Sequence, residues 1–400
     1  MGTKNFNSAT DLITFTRASG GTFLGSDGLL QTAANNIPRI EYDATGAVKG
    51  LLIEQARTNL VTYSNDFTTS SWTRYRVSIA SNVSGVTAPD GSETVDKMIP
   101  NSANHEHRVW DGVSSTAVGE TYSVYAKSAG YDYVWLGYYE GAVYGYAVVN
   151  LTNGVVTASN TANYSVEAST NGFYRISVTK TASGTNPRYI SISPSPTASP
   201  TLNSNNAPLY TGDGTSGIYV WGAQIEAGAF HSSYIPTTGT AATRAVDVAQ
   251  IPTSAFGYNN DKGTVVCEFD SAKLNGSTVF TLDLDGAGIE NGITTIVYPA
   301  NRISYQAVTV GAVQANLNFD AYATASQVSK VATVYAKDDF AAVLNGGAVA
   351  TDTAASIPTV DLLRLGVYLR GASFPMSGHI KSIQYYPRRL TNTQLQELTT

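Results

Sequence analysis

The side chains best suited to gripping a ligand are aromatic, and they crowd into one stretch. "GYDYVWLGYYEGAVYGYAVVNL", from Gly130 to Leu151, holds six tyrosines and one tryptophan in 22 residues. Its only charged side chains are Asp132 and Glu140. The π-face of such a ring accepts the C–H groups of a pyranose, so coplanar aromatics on one side of a strand can hold a sugar. Side chains alternate along a strand, so Tyr131, Tyr133 and Trp135 are expected on one face, with Val134 and Leu136 on the other. Tyr144 and Tyr146 make a matching pair on the returning strand, past a hairpin tip near Glu140-Gly141. Three uses stay open for these five aromatics. They can form a glycan platform, they can meet another subunit or domain, where tyrosine is enriched, or they can pack the sheet at about 0.2–1 kcal/mol per cross-strand pair.

Other constellations are weaker. In "ANHEHRVWDG", His105 and His107 would share a strand face opposite Glu106, but two imidazoles need a third or fourth ligand to hold a metal. "DLDGAGIENG" sets Asp283, Asp285 and Glu290 among glycines, a calcium candidate without the spacing of the twelve-residue calcium loop. An acidic turn explains those residues as well, since Asp and Gly are common in turns. Arg370, in "YLRGASFPMSGH", belongs to a loop at a sandwich rim and could meet an acidic sugar. Trp221, with Gln224 and Glu226, reads as core plus edge polar groups. No G-x-S-x-G elbow and no phosphate-binding loop occurs, so no catalytic residue is assigned and a non-enzyme is expected. No cofactor is expected beyond the calcium candidate.

The elements that position these residues are strands. Apolar and polar residues alternate over four to eight positions between Gly, Asn, Asp and Pro, as in "ETYSVYAKS" (Glu120 to Ser128), "FYRISVTKT" (Phe173 to Thr181) and "HIKSIQYYP" (His379 to Pro387). Tight hairpins are expected at Asn153-Gly154 and Asn345-Gly346, and a further hairpin around Thr45-Gly46. "RRLTNTQLQELTT" predicts one helix, with Thr391 as N-cap, Gln394 completing a capping box, and Leu390 and Leu395 as a hydrophobic staple. The expected fold is all-β: two antiparallel β-sandwich (jelly-roll) domains after a short N-terminal β-rich lead-in, closed by one short C-terminal helix. The segments are residues 1–60 (lead-in), 61–245 (first sandwich) and 246–400 (second sandwich). "SPSPTASPTLNSNNAP" (Ser193 to Pro208) reads as a long surface loop within the first sandwich.

Composition narrows the partners. Of 400 residues, 42% are hydrophobic, enough for real cores, and only 14% are charged, with a net charge of −6. Neutral polar residues face the solvent instead, as in extracellular or virion-type β proteins. No basic stripe suits phosphates, so nucleic-acid binding is not expected. No stretch reaches 18 apolar residues, so membrane insertion is not expected. The single cysteine, Cys267, excludes an intrachain disulfide and falls on an expected strand as a buried thiol. "MGTKNFNSATDLITF" lacks the layout of a signal peptide, which implies assembly in a cytoplasm.

"FTRASGGTFLGSDGLLQTAANNIPRIEYDATGAVKGLLIEQARTNLVTYSNDFTTSSWT" (Phe15 to Thr73) resembles a lead-in of tailed-bacteriophage tail fibre or appendage proteins. "GETYSVYAKS", "NGFYRISVT", "IYVWGAQIEAG" and "SSYIPTTGTAATRAVD" are similar to a phage carbohydrate-binding-module-like domain. "FAAVLNGGAVATDTA", "LLRLGVYLRG" and "SGHIKSIQYYPRRLTNTQLQEL" resemble the concanavalin/laminin-G-like jelly roll at the C-terminus of such proteins, a type of sandwich that sometimes holds calcium at its rim. Phe173 departs from the pattern, which often has tryptophan after Asn-Gly, and a long shaft is missing. The resemblance implies a virion structural protein, often trimeric, that contacts other virion proteins and displays sandwiches for host-surface polysaccharide. A capsid-decoration or tail-joining protein without sugar binding is the alternative, and a polysaccharide depolymerase is a third reading.

Overall fold

The computed structural model describes residues 12–400 except 115, 116, 118, 141, 142, 162, 182–187, 205, 273–275, 286–290, 299–301, 323–325 and 368–374. The protein is all-β, and its strands pair antiparallel in two sandwiches.

The first sandwich packs two six-stranded sheets. One, the aromatic sheet, runs in the order Val156–Ser159, Val143–Asn150, Tyr133–Glu140, Arg188–Ser195, Arg108–Val113 and Thr73–Tyr75. The other, the hydroxyl sheet, runs Tyr164–Ala168, Tyr174–Lys180, Glu120–Ala129, Gly217–Ala227, Asp96–Pro100 and Val77–Ala80. Alternation sends Val134, Leu136 and Tyr138 inward against Tyr122, Val124, Ile176 and Val178. Tyr138 stacks on Tyr122 across the sandwich with ring centroids 5.4 Å apart. Each such buried side chain stabilises the fold by about 1.5–3 kcal/mol.

The second sandwich packs two seven-stranded sheets. The expected lead-in does not stand apart from it. Thr14–Thr16 pairs with Val248–Pro252, while Ile40–Tyr42 and Val48–Ile53 extend the opposite sheet beside Gly378–Tyr386. Phe15, Leu51 and Ile53 are buried in one core with Phe269, Phe280 and Tyr305. The boundary at residue 60 is therefore corrected: strands within residues 14–53 complete the second sandwich. The chain leaves it through Arg57–Asn59 and returns through Ala242–Arg244, and these two strands pair as a neck, Asn59 opposite Ala242 and Arg57 opposite Arg244.

Most of the expected local devices are present; the exception is Asn153-Gly154, where residues 151–155 form a longer connection and only Gly154 has positive φ, so no two-residue turn forms. Gly46 has φ +83° in a turn where the Asp43 carboxylate accepts from the Thr45 and Ala47 N–H groups at 2.8 and 3.0 Å. Asn345 and Gly346 both have positive φ, as a tight hairpin turn requires. The helix spans Asn392–Thr399, with the Thr391 and Gln394 capping box formed, and Leu390 and Leu395 are buried together with Val334 and Val343. Cys267 is buried in the strand Lys262–Ser271, and burial pushes its thiol pKa up. One loop is shorter than expected: Ser193 and Ser195 are buried in the strand Arg188–Ser195, so the surface loop starts after them.

Candidate glycan-binding face and the groove between the sandwiches

The register of the aromatic sheet builds a feature that no single strand contains. Tyr139 stands opposite Tyr144 on one neighbour and opposite Tyr189 on the other. Three phenol rings thus cross three adjacent strands in one row on the outer face, spanning about 10 Å at the usual strand spacing. Tyr139 and Tyr144 are 36% and 38% exposed. Tyr139 and Tyr189 have ring centroids 6.2 Å apart. Beyond Tyr189 lies Gly112, where a Cβ would come within 2.5 Å of the Tyr189 ring, so glycine is what lets that ring lie over the next strand.

The expected platform residues divide into different roles. Trp135 does lie on this outer face, but it is only 2% exposed. Its indole covers Gly137 and stacks on Tyr146 at 5.6 Å, so the pair supports the row from below. Tyr133 is half-buried on the same face, and Tyr144 is in the row itself. Tyr131 is not on this face, a correction. The strand begins only at Tyr133, after Gly130 at φ +112° bridges to Gly217, and the Tyr131 ring packs against the core with its edge to Tyr210 at 5.9 Å. Tyr139 and Tyr189 were not singled out from sequence. Tyr139 follows from alternation beyond Trp135, whereas Tyr189 arrives through a pairing fifty residues away.

A groove of about 700 Å³ separates the hydroxyl sheet from the second sandwich. One wall carries hydroxyls already paired across strands, Ser165 with Ser177 at 2.8 Å and Thr121 with Thr179 at 2.9 Å; Ser165, Ser177 and Thr179 line the groove itself. On the other wall His379 Nε2 donates to Glu41 at 2.7 Å and Nδ1 donates to Asp270 at 2.8 Å. Burial opposes the positive charge of His379, but the hydrogen bonds and charges of Asp270 and Glu41 outweigh it and raise the pKa. Burial likewise opposes the negative charge of Glu41, yet His379 and Lys49 hold its pKa down at about 2.

Behind this groove lies a buried ion network that was not foreseen. Asp247 accepts from Arg17 at 3.1 Å, from Arg39 at 2.5 Å and from the Glu54 backbone N–H at 2.9 Å. Glu54 in turn meets Arg39 at 2.8 Å, Arg244 at 3.4 Å and both the N–H and hydroxyl of Ser233. Glu226 accepts from the Ser232 N–H and hydroxyl, and from the Gln224 amide. These residues come from "FTRASG", "PRIEYD", "LLIEQARTN", "QIEAG", "HSSYIPT" and "TRAVD", which overlap some of the stretches on which the sequence resemblance rests. What those stretches build is the joint between the sandwiches.

The remaining candidates are engaged within the protein or lie beyond description. Asp283 and Asp285 both accept from Arg364, at 2.7 and 3.0 Å, so a guanidinium stands where their carboxylates converge. Burial raises the Asp283 pKa in spite of Arg364. Glu290 and Arg370 lie outside the described residues. Both ring nitrogens of buried His107 face backbone carbonyls, of Arg76, Ala103 and Tyr210, whereas His105 is half-buried on a separate short strand. Trp221 is buried in a cluster with Tyr125, Phe173 and Tyr234. Among the described residues no helix is long and apolar enough to cross a membrane.

Fold and site together define an all-β protein of two sandwiches with an exposed tyrosine row on one sheet. No protein-family model matches the chain, and no curated protein does. Solved structures similar to it include the CBM40 of Ruminococcus gnavus IT-sialidase bound to α2,3-sialyllactose, with TM-score 0.33 and 19% identity over 36% of this chain and 86% of that one. A SAP-like pentraxin from Limulus polyphemus has TM-score 0.30 and 13% identity over 35% of this chain and 70% of that one. The NanB sialidase of Streptococcus pneumoniae has TM-score 0.33 and 16% identity over 37% of this chain and 26% of that one. At this level of similarity the site has to be read from the chain's own residues.

Proposed function

We propose that the protein is a glycan-binding structural component of a phage virion, a tail fibre or appendage, and that the row Tyr189–Tyr139–Tyr144 is its sugar-stacking face. The observation that carries the binding reading is the row itself. Two tyrosines stay more than a third exposed in direct cross-strand register, beside the packed pair Trp135 and Tyr146 on the same face. Rings in one row at strand spacing offer successive apolar faces to a linear saccharide, while the phenol hydroxyls remain free to bond to it. Single-site contact of this kind is shallow, and several copies in one assembly would supply avidity. The virion setting is supported by the sequence resemblance of Phe15 to Thr73 and of the two sandwiches. The protein acts in this reading by binding, without catalysis, and assembles as a homotrimer with other virion proteins as neighbours.

The architectural alternative, capsid decoration or tail joining without sugar binding, is favoured by one observation: the charged residues within the N-terminal part of the resemblance and within "TRAVD" go into a buried joint rather than onto a surface. A glycan array of host-envelope polysaccharides, run with the wild type and with Tyr139→Ala, separates the two. Binding that disappears in the variant supports the glycan reading, whereas an empty array with stoichiometric attachment to virions supports architecture. Light scattering at micromolar concentration checks the oligomer, with a trimer mass expected and a monomer mass refuting it.

A further inference from the structure

The groove between the sandwiches lies on the far side of the first sandwich from the tyrosine row, against the outer face of the hydroxyl sheet. Three buried polar atoms in its lining have no hydrogen-bond partner among the described residues: Arg175 Nε, His231 Nδ1 and the Ser377 hydroxyl. Arg175 is only 6% exposed, and no described carboxylate pairs with it. The other cations of the lining have carboxylates: Lys49 and His379 meet Glu41 at 3.3 and 2.7 Å, and His231 meets Glu167 at 3.0 Å. The register shows why Arg175 has none. It stands opposite Glu167 on one neighbouring strand and Tyr125 on the other. Glu167, its natural partner, is turned to His231 instead. The guanidinium lies over the Tyr125 ring, 5.3 Å from the centroid, and its bond from Nη2 to the Ser123 hydroxyl is long at 3.5 Å. A buried charge without a counter-charge is costly, and proteins ordinarily pair it. Here the space for a counter-charge is the groove itself. Further along the same strand face, Ser177 stands between Ser165 and Ser123, so a row of hydroxyls crosses three strands beside Arg175.

We propose that this groove binds a hexuronic acid residue of an acidic saccharide, whose carboxylate pairs with Arg175. The planar fork of Nε and Nη matches a carboxylate bidentately and forms charge-assisted hydrogen bonds with it. Ser177 is two residues along the strand from Arg175, about 7 Å away, where the ring attached to that carboxylate would lie. The sugar hydroxyls then meet those of Ser165 and Ser177 on one wall, and His231 Nδ1 and the Ser377 hydroxyl gain partners. The groove's volume of about 700 Å³ falls within the range of small-ligand sites, which favour the junctions between domains. The site is independent of the tyrosine row, which belongs to the opposite sheet. A neutral sugar offers the same hydroxyls but leaves the charge of Arg175 unpaired.

The test uses calorimetry at pH 7 with trimers of galacturonic, glucuronic and mannuronic acid, each against its methyl ester, which keeps the ring and loses the charge. At least one acid is expected to bind about tenfold more tightly than its ester, the scale of one charge-assisted hydrogen bond. Arg175→Gln keeps a polar side chain without the charge and should bring that acid and its ester level. Its melting temperature should not fall, since no ion pair is lost. Equal binding of acid and ester by the wild type for all three sugars, or a preference that survives in Arg175→Gln, overturns the proposal. A second measurement needs no variant that folds: the Nε–H resonance of Arg175 is followed in the wild-type protein as each trimer is added. It should shift with the preferred acid and stay in place with the ester. A resonance that none of the acids moves, or that acid and ester move equally, overturns the site.

Discussion

Replacing Asp247 with alanine should loosen the joint between the sandwiches. Asp247 is fully buried and bridges Arg17 and Arg39, which are themselves buried, while accepting from the Glu54 backbone. Removing it leaves two guanidinium groups in the interior, and only Arg39 retains a carboxylate partner, Glu54. Breaking a buried ion pair by deleting one partner costs about 3–5 kcal/mol, since the remaining charge is uncompensated. Arg17 keeps its bonds to the Ala33 and Ala34 carbonyls, which satisfy its hydrogens but not its charge. A loss of that size lowers the melting temperature by roughly 6–20 °C for a domain of 150–250 residues. The location adds a sharper expectation. Asp247 sits just past the neck strand Ala242–Arg244, and the hydrophobic cores of the two sandwiches are separate. Calorimetry of Asp247→Ala should therefore show one broad transition resolving into two, the sandwiches melting independently. Asp247→Asn, which keeps the shape and loses the charge, should fall close to the alanine variant. A variant within about 1 kcal/mol of wild type, melting in an unchanged profile, would refute the view that this network couples the sandwiches.

Other perturbations follow from the same geometry. The raised pKa of His379 means that its contribution to stability is complete below the unfolded value near 6.5 and is lost as pH rises through the folded value. Wild-type melting temperature should thus decline as pH rises above about 6.5, and His379→Gln should flatten that slope. Glu41 acts in the opposite direction: its contribution is present above its unfolded pKa near 4.5 and is lost as pH falls toward about 2, so Glu41→Gln should blunt acid unfolding between those values. Tyr139→Ala and Tyr144→Ala should each weaken saccharide binding by about tenfold while shifting the melting temperature little, because both rings are substantially exposed. A large stability loss in either would show a packing role instead. Thr391→Ala removes the helix N-cap and should cost about 1 kcal/mol in thermal or urea unfolding.

Local pattern was legible and long-range pairing was not. Alternation located the hairpin from Tyr133 to Asn150, and cap chemistry at Thr391 and Gln394 located the helix, because both signals lie within a few residues. The lead-in reads as separate because its strands are three to six residues long and two of them, Thr14–Thr16 and Val48–Ile53, pair with partners more than two hundred residues away, as Thr14 does with Gln250. Alternation alone puts Tyr131 on the outer face, because a run of alternating residues does not reveal where the strand starts, and Gly130 delays that start. The ion network left one faint signal. In a chain with only 14% charged residues, Arg17, Arg39, Glu54, Arg244 and Asp247 each stand between two apolar or neutral neighbours, and buried charges require partners.

The neck gives the architecture a further consequence. Asn59 and Ala242 face each other in an antiparallel pair, so the ends of the whole intervening segment lie only about 5 Å apart. The second sandwich needs strands from before and after that segment, so during synthesis its early strands wait while the first sandwich, already complete in sequence, can close by itself. Two ends a single strand spacing apart could also be joined by a short turn. The first sandwich is then a cassette: another module with adjacent termini can replace it at the neck, leaving the strands of the second sandwich intact. If the tyrosine row binds a glycan, such an exchange would change the target while leaving the second sandwich as it is.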